Sequence, residues 1–319
     1  MVHLPPSFFH TIIEEYFICY HIEALSMSKS WQSTLLCTLV IVIWGSLYIS
    51  GRLVLQYIPA LLVLFIRYAL SSVILLRVGY HTLHGHIAIA RKDWGELFFV
   101  GLVGYYLSNA ALFLGIQYSS ASFASLINSL TPVVISGLAI ALLGEKVTKL
   151  QMGSLLMAVL GAGIIIGKPT AGVTTAGMLI SVFALFSWAY ATIHLKKLTA
   201  KYDPLLVTGY GMAIAAVLSL PTAWAFIRVT GSPVSFTGGL WAPLLYTSLV
   251  CTAFAHLMWN ELLQKLPATY CASFYPLQPL TSMLLGVLLL GEEMTLSLLI
   301  GAACIVSAMV LNTLAARKA

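Results

Sequence analysis

Ten runs of mostly apolar residues follow one another along this chain, and no other feature limits its fold so severely. They cover 33–51, 59–79, 95–116, 121–143, 150–167, 173–195, 205–228, 239–262, 268–290 and 295–314. About 20 such residues span a bilayer as a helix. The breaks between them are short and polar or helix-stopping, such as Gly144-Glu145-Lys146, Lys168-Pro169 and Asp203-Pro204. The composition agrees: 60% of residues are hydrophobic and only 8% are charged, against about 25% charged in a soluble domain. So little charge cannot cover a water-facing surface, so most of the chain must face lipid. Runs of this length suit helices, which span a bilayer with about 20 residues each. The predicted class is all-α and integral to the membrane, with ten transmembrane helices. The loops left over are too short to hold a soluble catalytic domain.

Basic residues set the orientation. Twelve of the sixteen Lys and Arg fall in the N-terminal segment, the loops after even-numbered spans and the C-terminus. The odd-numbered loops hold only Arg52, Lys168 and Arg228, and Arg67 lies within the second span. Positive residues favour the cytoplasmic side, so both termini are expected there, in a plasma (inner) membrane. No basic cluster supports nucleic-acid binding. Residues 1–32 form an N-terminal extension with Glu14 and Glu15 and no basic residue before Lys29, unlike a signal peptide. Met27 opens "MSKSWQSTLL", which reads as an alternative start, so that residues 1–26 stand outside the expected bundle. The five cysteines are isolated and form no metal or redox motif. The histidines of "HTLHGH" read as a solvated loop, and no phosphate loop is present, so no metal or cofactor is expected.

One phrase is written twice. "SLTPVVISGLAIALLGEKVT" (129–148) returns as "PLQPLTSMLLGVLLLGEEMT" (276–295), 147 residues later. Pro132 falls on Pro279 and Gly144-Glu145 on Gly291-Glu292; Trp44 and Trp188 match at 144. Each half holds five spans. Five is odd, so the second copy enters the membrane upside down. Inverted repeats of this kind place a binding site near the midplane between the copies. Pro132 and Pro279 sit well inside their expected spans, where each removes a backbone donor and kinks the helix; a gating role stands beside plain packing. The Gly-Glu pair reads as a helix end, with glycine stopping the helix and glutamate meeting water.

Four stretches carry a family likeness: "WGSLYI", "FIRYALSS", "SSASFASLINSLTPVVISGLAIALLGEKVT" and its echo "LPATYCASFYPLQPLTSMLLGVLLLGEEMT". With them the chain resembles the drug/metabolite transporter superfamily, in the form with two tandem EamA domains. The resemblance implies one repeat over 33–167, a second over 173–314, a short tail at 315–319, ten helices and movement of small metabolites, often amino acid efflux.

No Asp or Glu lies deep in an expected span, which argues against a buried carboxylate proton relay. The ionisable candidates are Arg67 and His256. Arg67 reads either as a snorkelling or packing residue or as a gate or fork-shaped receptor for a carboxylate. His256 reads as an interhelical hydrogen bonder or a titrating group. Neutral polar and aromatic candidates for the pathway are Trp44, Tyr48, Tyr105, Asn109, Asn128, Thr131, Trp188, Tyr190, Tyr275 and Gln278. Asn128 pairs with Tyr275 and Thr131 with Gln278 at the 147 offset, each close before a repeat proline. The alternative for each is ordinary interhelical bonding. The expected function is a secondary transporter working by alternating access, most simply amino acid efflux. A carrier of nucleotide-like metabolites or drugs, or an integral membrane enzyme, is the alternative. Partners are a small-molecule substrate and lipid, with room for a homodimer.

Overall fold

The computed structural model describes residues 29–118, 127, 128, 130–166, 175–290 and 296–316. Residues 1–28 of the N-terminal extension, the start of the expected span 121–143, Gly291-Glu292 and the last three residues lie outside these; Lys29–Gln32 begin α1. The helices are α1 (Lys29–Leu55), α2 (Ala60–Thr82), α3 (Arg91–Tyr118), α4 (Thr131–Leu143), α5 (Lys149–Ile166), α6 (Thr175–Thr199), α7 (Pro204–Thr230), α8 (Gly238–Lys265), α9 (Leu277–Leu290) and α10 (Leu296–Ala316). A short helix, Ala268–Ala272, precedes α9. Among the described residues, α2, α3, α6, α7, α8 and the Trp31–Leu55 stretch of α1 are long and apolar enough to cross a membrane.

α2 packs along α7, and α5 along α10. α1 lies against α8 and α9; α6 lies against α3 and α4. α2 also meets α8, and α7 meets α3. Small residues allow these approaches: a Cβ on Gly161 of α5 would stand 2.9 Å from the carbonyl oxygen of Gly301 on α10. Large apolar side chains such as Leu160, Val217, Trp224 and Leu288 face outward, as lipid-facing residues should.

Two features differ from the sequence reading. Pro132 lies in the first turn of α4, and Pro279 is the third residue of α9. Neither kinks the middle of a helix. A first-turn amide has no intrahelical acceptor, so a proline there costs no hydrogen bond. Before α9 the chain runs through a turn at 273–276. Gly144 does stop α4, at φ 66° in the left-handed region, but Glu145 turns inward onto the start of the short helix.

α3 and α8 each contain a stretch of π-helix, Val100–Leu107 and Tyr246–Phe254. The two sit one repeat length apart in the sequence. A π turn shifts the register and leaves backbone carbonyls without their usual partners, which is why such turns gather at functional sites.

Candidate functional site

The π turns face the centre of the bundle, and side chains answer their carbonyls there. In α3, the Gly104 carbonyl accepts from Ser108 Oγ and, at 3.3 Å, from Asn109 Nδ2. In α8, the Cys251 carbonyl accepts from Trp44 Nε1 at 3.1 Å, across from α1. The Thr247 carbonyl accepts from Thr252 Oγ1 at 2.6 Å, and the Thr252 carbonyl lies 3.0 Å from His256 Nδ1.

Around these turns the aromatic rings close on one another. Trp44 and Trp188, the tryptophans matched in the two halves, meet edge to face with centroids 5.8 Å apart. His256 stands 4.9 Å from Trp44, and Trp259 lies between Trp44 and Tyr275 at 5.3 Å from each. Trp188 Nε1 donates to the Tyr275 hydroxyl. Asn128 Nδ2 donates to Gln278 Oε1 at 2.6 Å, and Thr131 Oγ1 donates to Asn128 Oδ1 at 3.1 Å. The second phrase of the repeat therefore meets, through Gln278, the residue just before the first.

A cavity of about 50 Å³ opens among them. Trp44, Tyr48, Asn109, Asn128, Trp188, His256, Tyr275 and Gln278 line it, with Ser108, Leu47, Leu112 and Ala184. It has room for a few water molecules. Its polar groups are amides, hydroxyls, indole nitrogens and one imidazole. A second, larger hollow of about 390 Å³ lies between the α1–α2 turn, the end of α3 and the loop before α8, bordered by Arg52, Tyr57, Gln117 and Ser232.

Four of the residues singled out from the sequence stand elsewhere. Thr131 is buried behind Asn128. Tyr105 backs Trp188, and its hydroxyl accepts from Asn260 Nδ2 at 2.8 Å. Tyr190 is 41% exposed on the outer face, against Phe99 and His194. Arg67 is fully buried beside the cavity. Its Nε donates to Thr252 Oγ1 at 2.9 Å, and its guanidinium carbon lies 5.0 Å from the Phe113 ring centre. Its two terminal nitrogens have no acceptor among the described residues. Ser108, which clusters with Asn109 among the polar residues of the third span, also lines the cavity. Leu47, Leu112 and Ala184 resemble every other apolar residue in their helices. Among the described residues, no group of three His, Cys, Asp or Glu side chains is placed to hold a metal ion.

The model of the EamA-like transporter family matches residues 31–167 and 175–314. Among curated proteins, the chain is 27% identical to the uncharacterized transporter YetK of Bacillus subtilis, over 82% of this chain and 81% of that one. It is 24% identical to the uncharacterized inner membrane transporter YicL of Salmonella typhimurium, over 92% and 98% of the two chains. A probable amino-acid metabolite efflux pump of the same organism is 24% identical over 87% and 93%. A solved crystal structure of a protein superposes with a TM-score of 0.76 at 18% identity, covering 90% of this chain and 98% of that one; this likeness shows the fold alone.

Proposed function

The chain belongs to the EamA-like transporter family, and from that membership we propose a secondary carrier that exports an amino acid or a related small metabolite by alternating access. One observation carries the reading: residues related by the repeat, Trp44 with Trp188 and Asn128 with Tyr275, converge on one lined cavity between the halves. The helix pairing supports two inverted five-helix units. α1–α8 has its counterpart in α6–α3, α1–α9 in α6–α4, and α2–α8 in α7–α3, while α2–α7 and α5–α10 pair across the axis. Such an arrangement offers two states of similar energy, one open to each side.

The lining favours a small zwitterion or an uncharged aromatic molecule. Aromatic faces supply apolar area, and the amides of Asn109, Asn128 and Gln278 supply donors and acceptors for a charged amino-acid backbone. No carboxylate stands among the lining residues to meet a polycation. The cavity is too small to enclose an amino acid, so cargo enters as α1 and α6 part from α8 and α9. Arg67 is the charge we assign to the cargo's carboxylate. A buried guanidinium with two free NH₂ groups is costly, and a fork-shaped anion satisfies both at once. Efflux follows the name of the Salmonella relative. The Lys196-Lys197 end of α6, the Lys265 end of α8 and both termini are assigned to the cytoplasm by the positive-inside rule, in a plasma membrane like that named for YicL.

Counterflow in proteoliposomes tests this. Labelled amino acids, aromatic ones included, are compared with nucleosides and a cationic drug. Saturable exchange of an amino acid is expected, weakened at least about tenfold in Asn128→Ala and in Gln278→Ala, the loss of about one charge-assisted hydrogen bond. Wild-type rate and affinity in both variants rule out this site. Exchange of the nucleoside or drug alone replaces the substrate class.

A further inference from the structure

At the Lys196 end of the bundle, the loop after α4 reaches into the other half of the chain. Gly144, at φ 66°, turns the backbone so that Glu145 points back toward the short helix Ala268–Ala272. One carboxylate oxygen accepts from the amide of Ala268 at 2.8 Å. The other accepts from the amide and the hydroxyl of Thr269, at 3.1 and 2.8 Å. Lys196, near the end of α6, stands 3.9 Å from the same carboxylate. Its ammonium donates to the carbonyls of Leu263 and Leu266, at 3.0 and 2.5 Å. Gln264 then donates to the Thr199 carbonyl at 2.6 Å. The Glu145 side chain is only 12% exposed, although Gly144 and Lys146 on either side of it are open to solvent.

These contacts join the first half's α4–α5 loop to the second half's α6 end and α8–α9 turn, across the seam between the repeats. We propose that Glu145 is a latch that holds this end of the carrier closed, formed in the state seen here and broken when the end opens. The inference rests on the alternating-access reading above. A carboxylate suits the task because its bonds are strong and directional when formed. At the bundle end water can take them over when they break, which a buried apolar contact would not allow. A second tie at this end, Asp93 with Lys201 and Tyr202 at 3.0 and 2.7 Å, joins α3 to the turn before α7. Those two helices already pack against each other.

Cys271 reports on the latch without any cargo. It lies in the short helix, two residues beyond Thr269, and is fully buried. Full-length protein with Cys271 as its sole cysteine is placed in inverted membrane vesicles and treated with a membrane-impermeant maleimide; labelling is followed by mass. Glu145→Gln is expected to label about tenfold faster than the parent, a shift of about 1.4 kcal/mol in the opening equilibrium. Thr269→Val is expected to raise it about twofold. The control is the same substitution with Cys251 as the sole cysteine, buried in the middle of α8, whose labelling is expected to stay slow. Parent-like labelling of Cys271 in Glu145→Gln overturns the latch, as does an equal rise at Cys251, which signals a loosened bundle. Should Glu145→Gln fail to fold, Glu145→Asp and Thr269→Val decide by the same readout. Faster labelling with no counterflow of any cargo keeps the latch and removes the carrier reading; counterflow with unchanged labelling does the reverse.

Discussion

The two halves share a plan and fill it differently. In α2, Arg67 reaches Thr252 of α8. At the offset of 144 that matches the tryptophans, Arg67 corresponds to Gly211; at 147, Thr252 corresponds to Tyr105. The Tyr105 ring lies 2.6 Å from where a Cβ on Gly211 would stand. A long cation facing a small hydroxyl in one place is answered by a large ring facing a glycine in the other. The niches hold similar bulk, and only one holds charge. The inverted repeat proposed above would need matched volume at related positions, because voids cost stability in whichever state they open. It does not need matched chemistry, and the carboxylate cargo proposed above would use one cation.

The π turns differ in the same spirit. The bulged carbonyl of Gly104 is served by Ser108 and Asn109 of its own helix. That of Cys251 is served by Trp44, from the opposite half. α3 is thus self-contained at its bulge, and α8 is tied to α1.

Five substitutions, in three comparisons, test the contrast, beginning with the largest effect. Gly45 of α1 crosses α9 so closely that a Cβ would stand 2.6 Å from Thr281 Cβ and 2.9 Å from the Gln278 carbonyl. Its counterpart at 144, Ala189, is fully buried and already carries a Cβ. Gly45→Ala is expected to cost about 1–3 kcal/mol by overpacking and to abolish counterflow. Ala189→Gly costs about 1 kcal/mol and leaves counterflow measurable. Equal melting temperatures for the pair would show that the halves cross alike. Arg67→Met comes second and carries an unusual sign. A buried cation with two unpartnered nitrogens costs stability, so exchanging it for an apolar side chain holds or raises the melting point while counterflow of a carboxylate cargo falls more than tenfold. A lowered melting point with intact counterflow would make Arg67 a packing residue. The smallest difference separates Trp44→Phe from Trp188→Phe. The first leaves a buried carbonyl unsatisfied, at about 1–3 kcal/mol; the second removes one hydroxyl contact, at about 1 kcal/mol. Thermal melts in detergent resolve the order.

Much of the cavity's lining was legible because polar residues in an apolar chain stand out. Trp44, Asn128, Tyr275 and Gln278 drew notice by type and by repeat position, and they share one cavity. Tyr190 drew notice by the same logic and faces outward. In water, the polar side of a helix marks the outside. In lipid, core and surface are both apolar, so a helix's rotation about its axis leaves little trace in its sequence.

By itself, the sequence determined what hydropathy and counting decide: a multi-pass helical membrane protein, its basic end, its repeat and its family. These follow from transfer energies that add residue by residue along the chain. The tertiary structure decided what depends on phase and contact. Pro132 starts a helix instead of kinking one, Arg67 stands beside the cavity instead of in it, and Glu145 caps a helix 123 residues away instead of meeting water. Each is a choice between partners that only packing brings within hydrogen-bond range.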